Sequence, residues 1–286
     1  MGIPYAEVIG DPVAHSKSPV IHKFWLEKLG IEGDYRATRV TADELPGYLE
    51  TRRRDRDWRG CNVTMPLKEV IIPLLDEVRD SKIAAVNCVV PKKQGLPGFR
   101  TTRLCGSNTD QTGTDEAVST WDFGFGDSRV CLIGAGGAAR SAIISLDTLC
   151  YFTFDLIARD EAKGRAFLES CNREGDVYSF DHALDAMAGR HAIINASPLG
   201  MTGFPPMPEA VLDGLSTVGY DGEGFAFDMV TTPVRTPFMA RAEAAGLIVS
   251  DGLTMLIGQA RGAFRAFFGS WPSLDDDNAL RERLTS

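Results

Sequence analysis

Val130 to Ile133 is a short apolar run that stops at Gly134-Ala135-Gly136-Gly137, and Ala138 to Leu146 carries on with helix-forming residues. A buried strand that turns through glycines straight into a helix leaves few folds open. The helix has to cross a sheet face, and the next strand then returns parallel to the first. Further compact apolar segments at Phe152–Ala158, Ala192–Ala196 and Phe225–Val230 are separated by helical stretches. The alternation predicts a parallel, doubly wound sheet. A last strong helix is expected over Thr254–Phe268, with Leu256, Ala260, Phe264 and Phe267 or Phe268 on one face.

The chain before Gly106 has an α/β texture of its own. Tyr5–Gly10 reads as a strand. Ser18-Pro19 has the form of an N-cap followed by proline at the first helical position, where the missing N–H costs nothing. Ile21, Phe24, Trp25 and Leu29 follow at helical spacing, and Gly30 ends the element. Thr41-x-x-Glu44 predicts a capping box for a second helix. Cys61–Val63 and Val86–Val90 are runs suited to buried parallel strands. Two such regions in 286 residues point to two domains.

With 39 acidic residues against 30 basic ones, the formal charge is −9. Nucleic-acid backbones and anionic membranes attract basic surfaces, so neither is expected as the main partner. A small anionic substrate remains compatible, since local cations can outweigh the global charge. The longest apolar-rich run, Ser141–Ala158, is broken by Asp147 and Asp155 and cannot span a bilayer. The opening MGIPYAEVIG has no basic stretch ahead of an apolar one, so no signal peptide is expected. Ala6 stands where a myristoylation signal needs Ser or Thr. Cys61, Cys88, Cys105, Cys131, Cys150 and Cys171 form no C-x-x-C pair and have no histidine at ligand spacing. They are expected as reduced, partly buried thiols, without a metal site, in a cytoplasmic protein. Arg52–Arg56 is expected to be a solvated helix end before Trp58, with an anion site as the alternative. Asp275-Asp276-Asp277 is expected to be a solvated tail.

Gly134-Ala135-Gly136-Gly137-Ala138-Ala139 fits G-x-G-x-x-A in the strand–turn–helix setting that gives the pattern its meaning. Gly134 can make the tight turn, Gly136 lets a pyrophosphate approach the backbone, and Ala139 permits close packing of helix on sheet. The unpaired N–H groups of the helix N-terminus then hold the anion. A dinucleotide is therefore the expected cofactor. An acidic residue closing the second strand would bind the 2′-hydroxyl of NAD. Leu156-Ile157-Ala158-Arg159 offers an arginine instead, whose fork suits the 2′-phosphate of NADP. Asp155 lies at about the right distance but inside the strand, and Asp160 weakens the field of Arg159. NADP is expected, with NAD as the alternative.

Four other segments are dense in small polar residues: His15–Pro19, Asn62–Lys68, Val86-Asn87 and Asn108–Asp110. Singly, each has an ordinary structural reading. Ser18 can cap a helix, Asn62 and Thr64 can shape a turn, Lys68 can be a surface cation, and Asn87 can satisfy backbone groups at a strand end. Together and in this order they resemble the shikimate dehydrogenase family. The resemblance covers nearly the whole chain. It runs through V-I-G-D-P-V-x-H-S-x-S-P at Val8–Pro19, N-V-T-x-P-x-K at Asn62–Lys68, N-T-D at Asn108–Asp110 and G-A-G-G-A-A-R at Gly134–Arg140. It continues through N-A-S-P-x-G-M at Asn195–Met201, D-M-V at Asp228–Val230 and D-G-x-x-M-L-x-x-Q-A at Asp251–Ala260.

The resemblance implies an N-terminal α/β substrate domain, residues 1–105, completed by C-terminal helices in 253–286. A doubly wound (Rossmann) dinucleotide-binding domain, residues 106–252, would lie between. It implies that Ser16, Ser18, Thr64, Lys68, Asn87, Asp110 and Gln259 hold the hydroxyls and carboxylate of shikimate, with Lys68 and Asp110 as the catalytic pair. Gly134, Ala135, Gly136, Gly137, Ala138, Arg159, Met229 and Gly252 would line the cofactor. The implied activity is NADP-dependent hydride transfer between shikimate and 3-dehydroshikimate, on the route to aromatic amino acids, in a monomer or homodimer. Ala158 and Asp160 replace the Asn and Thr that usually flank the arginine, and Ala84 and Cys88 replace the Gly and Thr around Asn87. Thr231 stands where most members carry a tyrosine. These departures mark a divergent branch and keep quinate or another shikimate analogue open, although Ser18 favours shikimate over quinate. A rival of another class is a non-catalytic dinucleotide-binding sensor, which the presence of both Lys68 and Asp110 disfavours.

Overall fold

The computed structural model describes residues 2–79, 85–95, 101–121, 128–149, 152–219 and 223–285; Ala84 and Cys150 lie outside them. The chain divides into two compact units, Met1–Thr109 with Gln259–Ser286, and Asp110–Gly258.

The first unit lays down β1 (Tyr5–Gly10), α1 (Ser18–Leu29), β2 (Asp34–Arg39), α2 (Leu45–Arg54), β3 (Trp58–Val63), α3 (Leu67–Val70), β4 (Glu77–Val78), β5 (Cys88–Gln94) and β6 (Thr101–Ser107). Its sheet has the order β2-β1-β3-β5-β6-β4. β1 pairs in parallel with both neighbours. Alternate residues of β1 serve two cores, as the pleat requires. Tyr5 and Ile9 pack with Val63 and Val89, while Ala6 and Val8 pack with Cys88, Ala263 and Phe267.

Three readings of this unit need correcting. Val86–Val90 is not a parallel strand: β5 starts at Cys88, lies antiparallel to β3 and forms a hairpin with β6. An apolar run reports burial but not direction. Ser18 is not a cap but the first helical residue, preceded by Lys17 in the right-handed helical region. Its N–H donates to Ser16 Oγ at 3.3 Å. Arg52 is not solvated. It clamps Glu7, which is 1% exposed, through Nε at 2.5 Å and Nη2 at 3.2 Å. Tyr48 and Thr38 donate to the same carboxylate at 2.9 and 2.5 Å. A buried carboxylate needs such donors. The reciprocal bonds expected of the capping box form, Glu44 Oε2 accepting from Thr41 N at 2.9 Å and Thr41 Oγ1 from Glu44 N at 3.4 Å, but on the turn before α2, which starts at Leu45 with Glu44 in the capping position.

The second unit runs α4 (Asp110–Val118), β7 (Ser128–Ile133), α5 (Gly137–Leu149), β8 (Phe152–Ile157), α6 (Glu161–Ser170), β9 (Val177–Tyr178), α7 (Ala183–Met187), β10 (Ala192–Asn195), α8 (Glu209–Gly214), β11 (Phe225–Asp228), α9 (Pro237–Ala244) and β12 (Ile248–Asp251). The strands pair in parallel in the order β12-β11-β10-β7-β8-β9. The winding reverses between β7 and β10, and their carboxyl ends open the crevice where such sheets bind ligands. Val130 and Leu132 face one core with Ala139 and Phe154; Cys131 and Ile133 face another with Met187 and Phe238. Burial on both faces explains the uninterrupted apolar runs.

α10 (Gly252–Phe268) leaves β12, and from Gln259 onward it belongs to the first unit, as does α11 (Asp277–Thr285). The acidic run 275–277 is not a solvated tail. Asp277 opens α11 and takes Arg261 Nη2 on both carboxylate oxygens at 2.8 Å. Arg261 is fully buried and also donates to the carbonyls of Pro272 and Ser273 at 3.0 and 3.1 Å. Cys61, Cys88, Cys105 and Cys131 are buried free thiols, and Cys171 is half-buried. Among the described residues no His, Cys, Asp or Glu cluster could hold a metal ion, and no helix is long and apolar enough to cross a membrane.

Candidate active site

β1 and β3 end side by side, and the polar segments gather there. Thr64 N donates to Ile9 O at 2.9 Å and Asp11 N to Met65 O at 3.2 Å. Gly10 permits this approach, since a Cβ on it would lie 2.4 Å from Thr64 Cγ2 and 2.8 Å from Met65 O. α3 follows at once and carries Lys68, half-buried, whose carbonyl accepts from Val86 N at 2.9 Å. In the loop entering α1, Ser16 Oγ donates to Ser18 Oγ at 3.2 Å.

Deeper in the same unit a chain of hydrogen bonds crosses the sheet. Tyr35 Oη donates to Asn62 Oδ1 at 2.6 Å, and Asn62 Nδ2 donates to Asn87 O at 3.1 Å. Asn87 Oδ1 accepts from Thr109 N at 2.7 Å and from Thr109 Oγ1 at 3.2 Å. Thr109 Oγ1 also reaches Gln259 Oε1 at 3.4 Å. The structure thus joins Asn87 to Gln259 through Thr109, and Ser16 to Ser18 directly. Tyr35 is held from behind by His22, whose ring stacks on it with centroids 3.9 Å apart. Among the described residues neither nitrogen of His22 has a hydrogen-bond partner, and complete burial pushes its pKa down to about 3. The imidazole is therefore neutral. Hydroxyls, amides and one ammonium suit a ligand carrying several hydroxyls and a carboxylate.

Asp110 belongs to the second unit. It is the half-buried first residue of α4, and its carbonyl accepts from Thr114 Oγ1 at 3.0 Å. The glycine loop lies between β7 and α5. Gly134 sits at φ 99°, a conformation that favours glycine, and a Cβ on it would lie 3.0 Å from Ser197 Cβ. Ala135, Gly136 and Gly137 are exposed, Ala138 is half-buried and Ala139 is fully buried against the sheet. A Cβ on Gly136 or Gly137 would meet no atom within 4 Å. Gly137 opens α5, and the N–H groups of a helix N-terminus suit a pyrophosphate. Arg159 is exposed just past β8. The residues present fit NADP.

Residues 8–89 match the family model described as the shikimate dehydrogenase substrate binding domain. Over 285 residues the chain is 40% identical to shikimate dehydrogenase (NADP(+)) of Sphingopyxis alaskensis, covering 99% of this chain and 97% of that protein. The chain belongs to the shikimate dehydrogenase family. Two solved structures of similar proteins cover nearly all of it. Shikimate 5-dehydrogenase of Thermus thermophilus, in complex with NADP(H) and shikimate, is 32% identical with a TM-score of 0.79, covering 99% of this chain and 100% of that one. Quinate dehydrogenase of Corynebacterium glutamicum, in complex with NAD, is 25% identical with a TM-score of 0.82, covering 98% and 99%.

Several motifs of this shikimate dehydrogenase family member serve as scaffold. Asn195, fully buried, donates to Asp228 Oδ1 at 2.9 Å and Leu199 O at 3.2 Å, and accepts from Ser197 Oγ at 2.7 Å. Asp228 also accepts from Thr236 Oγ1 at 2.5 Å and Val230 N at 3.1 Å. Burial raises its carboxyl pKa despite these donors. The network pins the loops after β10 and β11, and Met229 N donates to Asn195 O at 3.0 Å. Gly252 is required by backbone, because a Cβ there would sit 2.5 Å from the carbonyl oxygens of both Met229 and Val230.

Among the departures from the family pattern, Asp160 has a structural partner of its own. Asp160 accepts from Lys163 N at 3.1 Å and so caps α6. Asp155, 5% exposed, holds Arg190 Nε at 2.5 Å and Asp176 N at 3.0 Å, which occupies it inside the unit. Cys88 is buried, and burial pushes its thiol pKa up to about 12. Thr231 is half-buried just beyond β11. Tyr35 and Thr109 were the residues that motif reading passed over. Only the place of Thr109 inside N-T-D pointed to it.

Proposed function

We propose that the protein is an NADP-dependent oxidoreductase that interconverts shikimate and 3-dehydroshikimate. The observation that carries this reading is the set of small polar groups at the carboxyl ends of β1 and β3, backed by the Asn87–Thr109–Gln259 chain. It belongs to a family in which a similar protein binds NADP(H) and shikimate. The first unit takes the substrate and the second the cofactor, each chain acting as a monomer or within a homodimer on a small molecule.

The nicotinamide, when bound, accepts or returns a hydride at the ring carbon that becomes the ketone. Hydride leaves that carbon readily only as its hydroxyl loses a proton, so a base must stand within hydrogen-bond reach. Lys68 and Asp110 are assigned that proton as a pair. Ser16, Ser18, Thr64, Asn87 and Gln259 orient the other hydroxyls and the carboxylate, which fixes which hydroxyl meets the pair. Gly134, Ala135, Gly136, Gly137 and Ala138 leave the N–H groups of α5 open to the pyrophosphate. Arg159 selects the 2′-phosphate, and Met229 and Gly252 line the cofactor. Quinate is the second reading, favoured by Thr231, whose short side chain frees volume that a tyrosine would fill. The test is an initial-rate screen of shikimate and quinate against NADP and NAD. The highest kcat/KM is expected for shikimate with NADP. Turnover of neither substrate with either cofactor would overturn the proposal.

A further inference from the structure

β3 has two ends. The residues assigned to substrate follow Val63, and Trp58 lies at the other end, about 16 Å away by strand rise. There the first unit holds a cleft of about 390 Å³ lined by five cations, Arg56, Arg59, Arg79, Lys92 and Lys93, and one carboxylate, Asp55. Such a concentration is unusual in a chain of net charge −9. Asp55 is already engaged, accepting from Tyr5 Oη at 2.6 Å and Asp57 N at 2.9 Å. Lys92 pairs with Glu77 at 3.4 Å, and Arg59 Nη1 donates to Arg56 O at 2.9 Å. Among the described residues the side chains of Arg56, Arg79 and Lys93 have no ion-pair partner.

The wall of the cleft is apolar and includes Trp58, Val90, Pro91 and Phe267. Trp58 is 1% exposed, and its indole N–H has no acceptor among the described residues. Gly60 makes the wall possible. It sits at φ 142°, and a Cβ on it would lie 2.7 Å from the Phe267 ring.

We propose that this cleft binds a small phosphorylated organic anion at a site separate from the reaction. Guanidinium forks match phosphate oxygens in pairs, and the apolar wall takes the uncharged body of the ligand. The concave shape and small volume favour a metabolite over an extended polyanion. The site is independent of the activity assigned above and stands or falls without it.

NMR of the ¹⁵N-labelled full chain tests this at the site itself. The chain has four tryptophans, so the Trp58 indole N–H can be assigned with a Trp58→Phe variant. Inorganic pyrophosphate is titrated against sodium chloride of equal ionic strength. The Trp58 indole resonance is expected to move saturably with pyrophosphate and to stay in place with chloride. Combining Arg59→Glu with Lys93→Glu should weaken that affinity about tenfold or more, as loss of charge-assisted contacts does. Turnover of shikimate should be unchanged. If the reversed charges disturb folding, Arg79→Gln with Lys93→Gln serves instead. The amides of Gly136 and Gly137 report separately on pyrophosphate at the cofactor loop. A Trp58 resonance indifferent to pyrophosphate, or equal affinity in the charge variants, would overturn the proposal.

Discussion

Replacing Gly136 by alanine separates a phosphate cradle from an ordinary turn. A Cβ on Gly136 meets nothing within 4 Å, and its backbone is not left-handed, so the fold has room for a methyl group. Removing glycine's freedom from the unfolded chain stabilises by about 0.4–1 kcal/mol. The melting temperature should therefore hold or rise by roughly 1–4 °C. A pyrophosphate seated on the N–H groups of α5 would collide with the new methyl. Losing one charge-assisted hydrogen bond of about 1.5–3 kcal/mol corresponds to a roughly ten- to hundredfold weaker Kd for NADP. Gly134→Ala is the contrast, because φ 99° and a Cβ 3.0 Å from Ser197 Cβ both oppose it. Strain of about 1–3 kcal/mol should lower its melting temperature. Calorimetric titration with NADP and thermal unfolding of both variants make the comparison. Full NADP affinity in Gly136→Ala would refute the reasoning and reduce the glycine cluster to a turn.

Lys68→Ala and Asp110→Ala should each lower kcat by roughly 10²–10⁴ with the fold retained by circular dichroism. Wild-type turnover in either would remove the pair from the mechanism. Arg159→Ala should raise KM for NADP about ten- to hundredfold and leave KM for NAD nearly unchanged. Equal effects on both cofactors would mean that Arg159 supports its loop and does not read the phosphate. Burial holds His22 at a pKa of about 3 against an ordinary 6.5, so unfolding takes up a proton between those values. Its contribution to stability is complete above about pH 6.5 and is lost as pH falls towards 3. Denaturant titrations across this range should show a steeper acid loss in the wild type than in His22→Phe.

The four inner strands of the second unit, β7, β8, β10 and β11, were legible because buried strands read as apolar runs, and the intervening helices dictate their direction; the edge strands β9 and β12 are only partly buried and gave no such run. The first unit was harder. β6 (Thr101–Ser107) and the outer arm of β5 are polar, so no apolar run announced the hairpin, and Val86–Val90 alone could not show its direction. Glu7 and Arg261 were missed for a related reason. A buried charge is detected only by its partners, and Arg52 and Asp277 stand 45 and 16 positions away. In the candidate site, motif reading singled out Asn87 and Gln259. It could not supply Thr109 as the hydroxyl between them, since that bond spans 150 positions. Tyr35 carried no motif at all, and only the folded sheet brings it to Asn62.

The central claim is direct hydride transfer between shikimate and NADP. Shikimate deuterated at the ring carbon that becomes the ketone provides the most direct measurement, with mass spectrometry of the reduced cofactor after a single turnover. The account predicts one deuterium at C4 of the nicotinamide for each 3-dehydroshikimate formed, and none in the solvent. Reduced cofactor without deuterium, or label released to water, would contradict it.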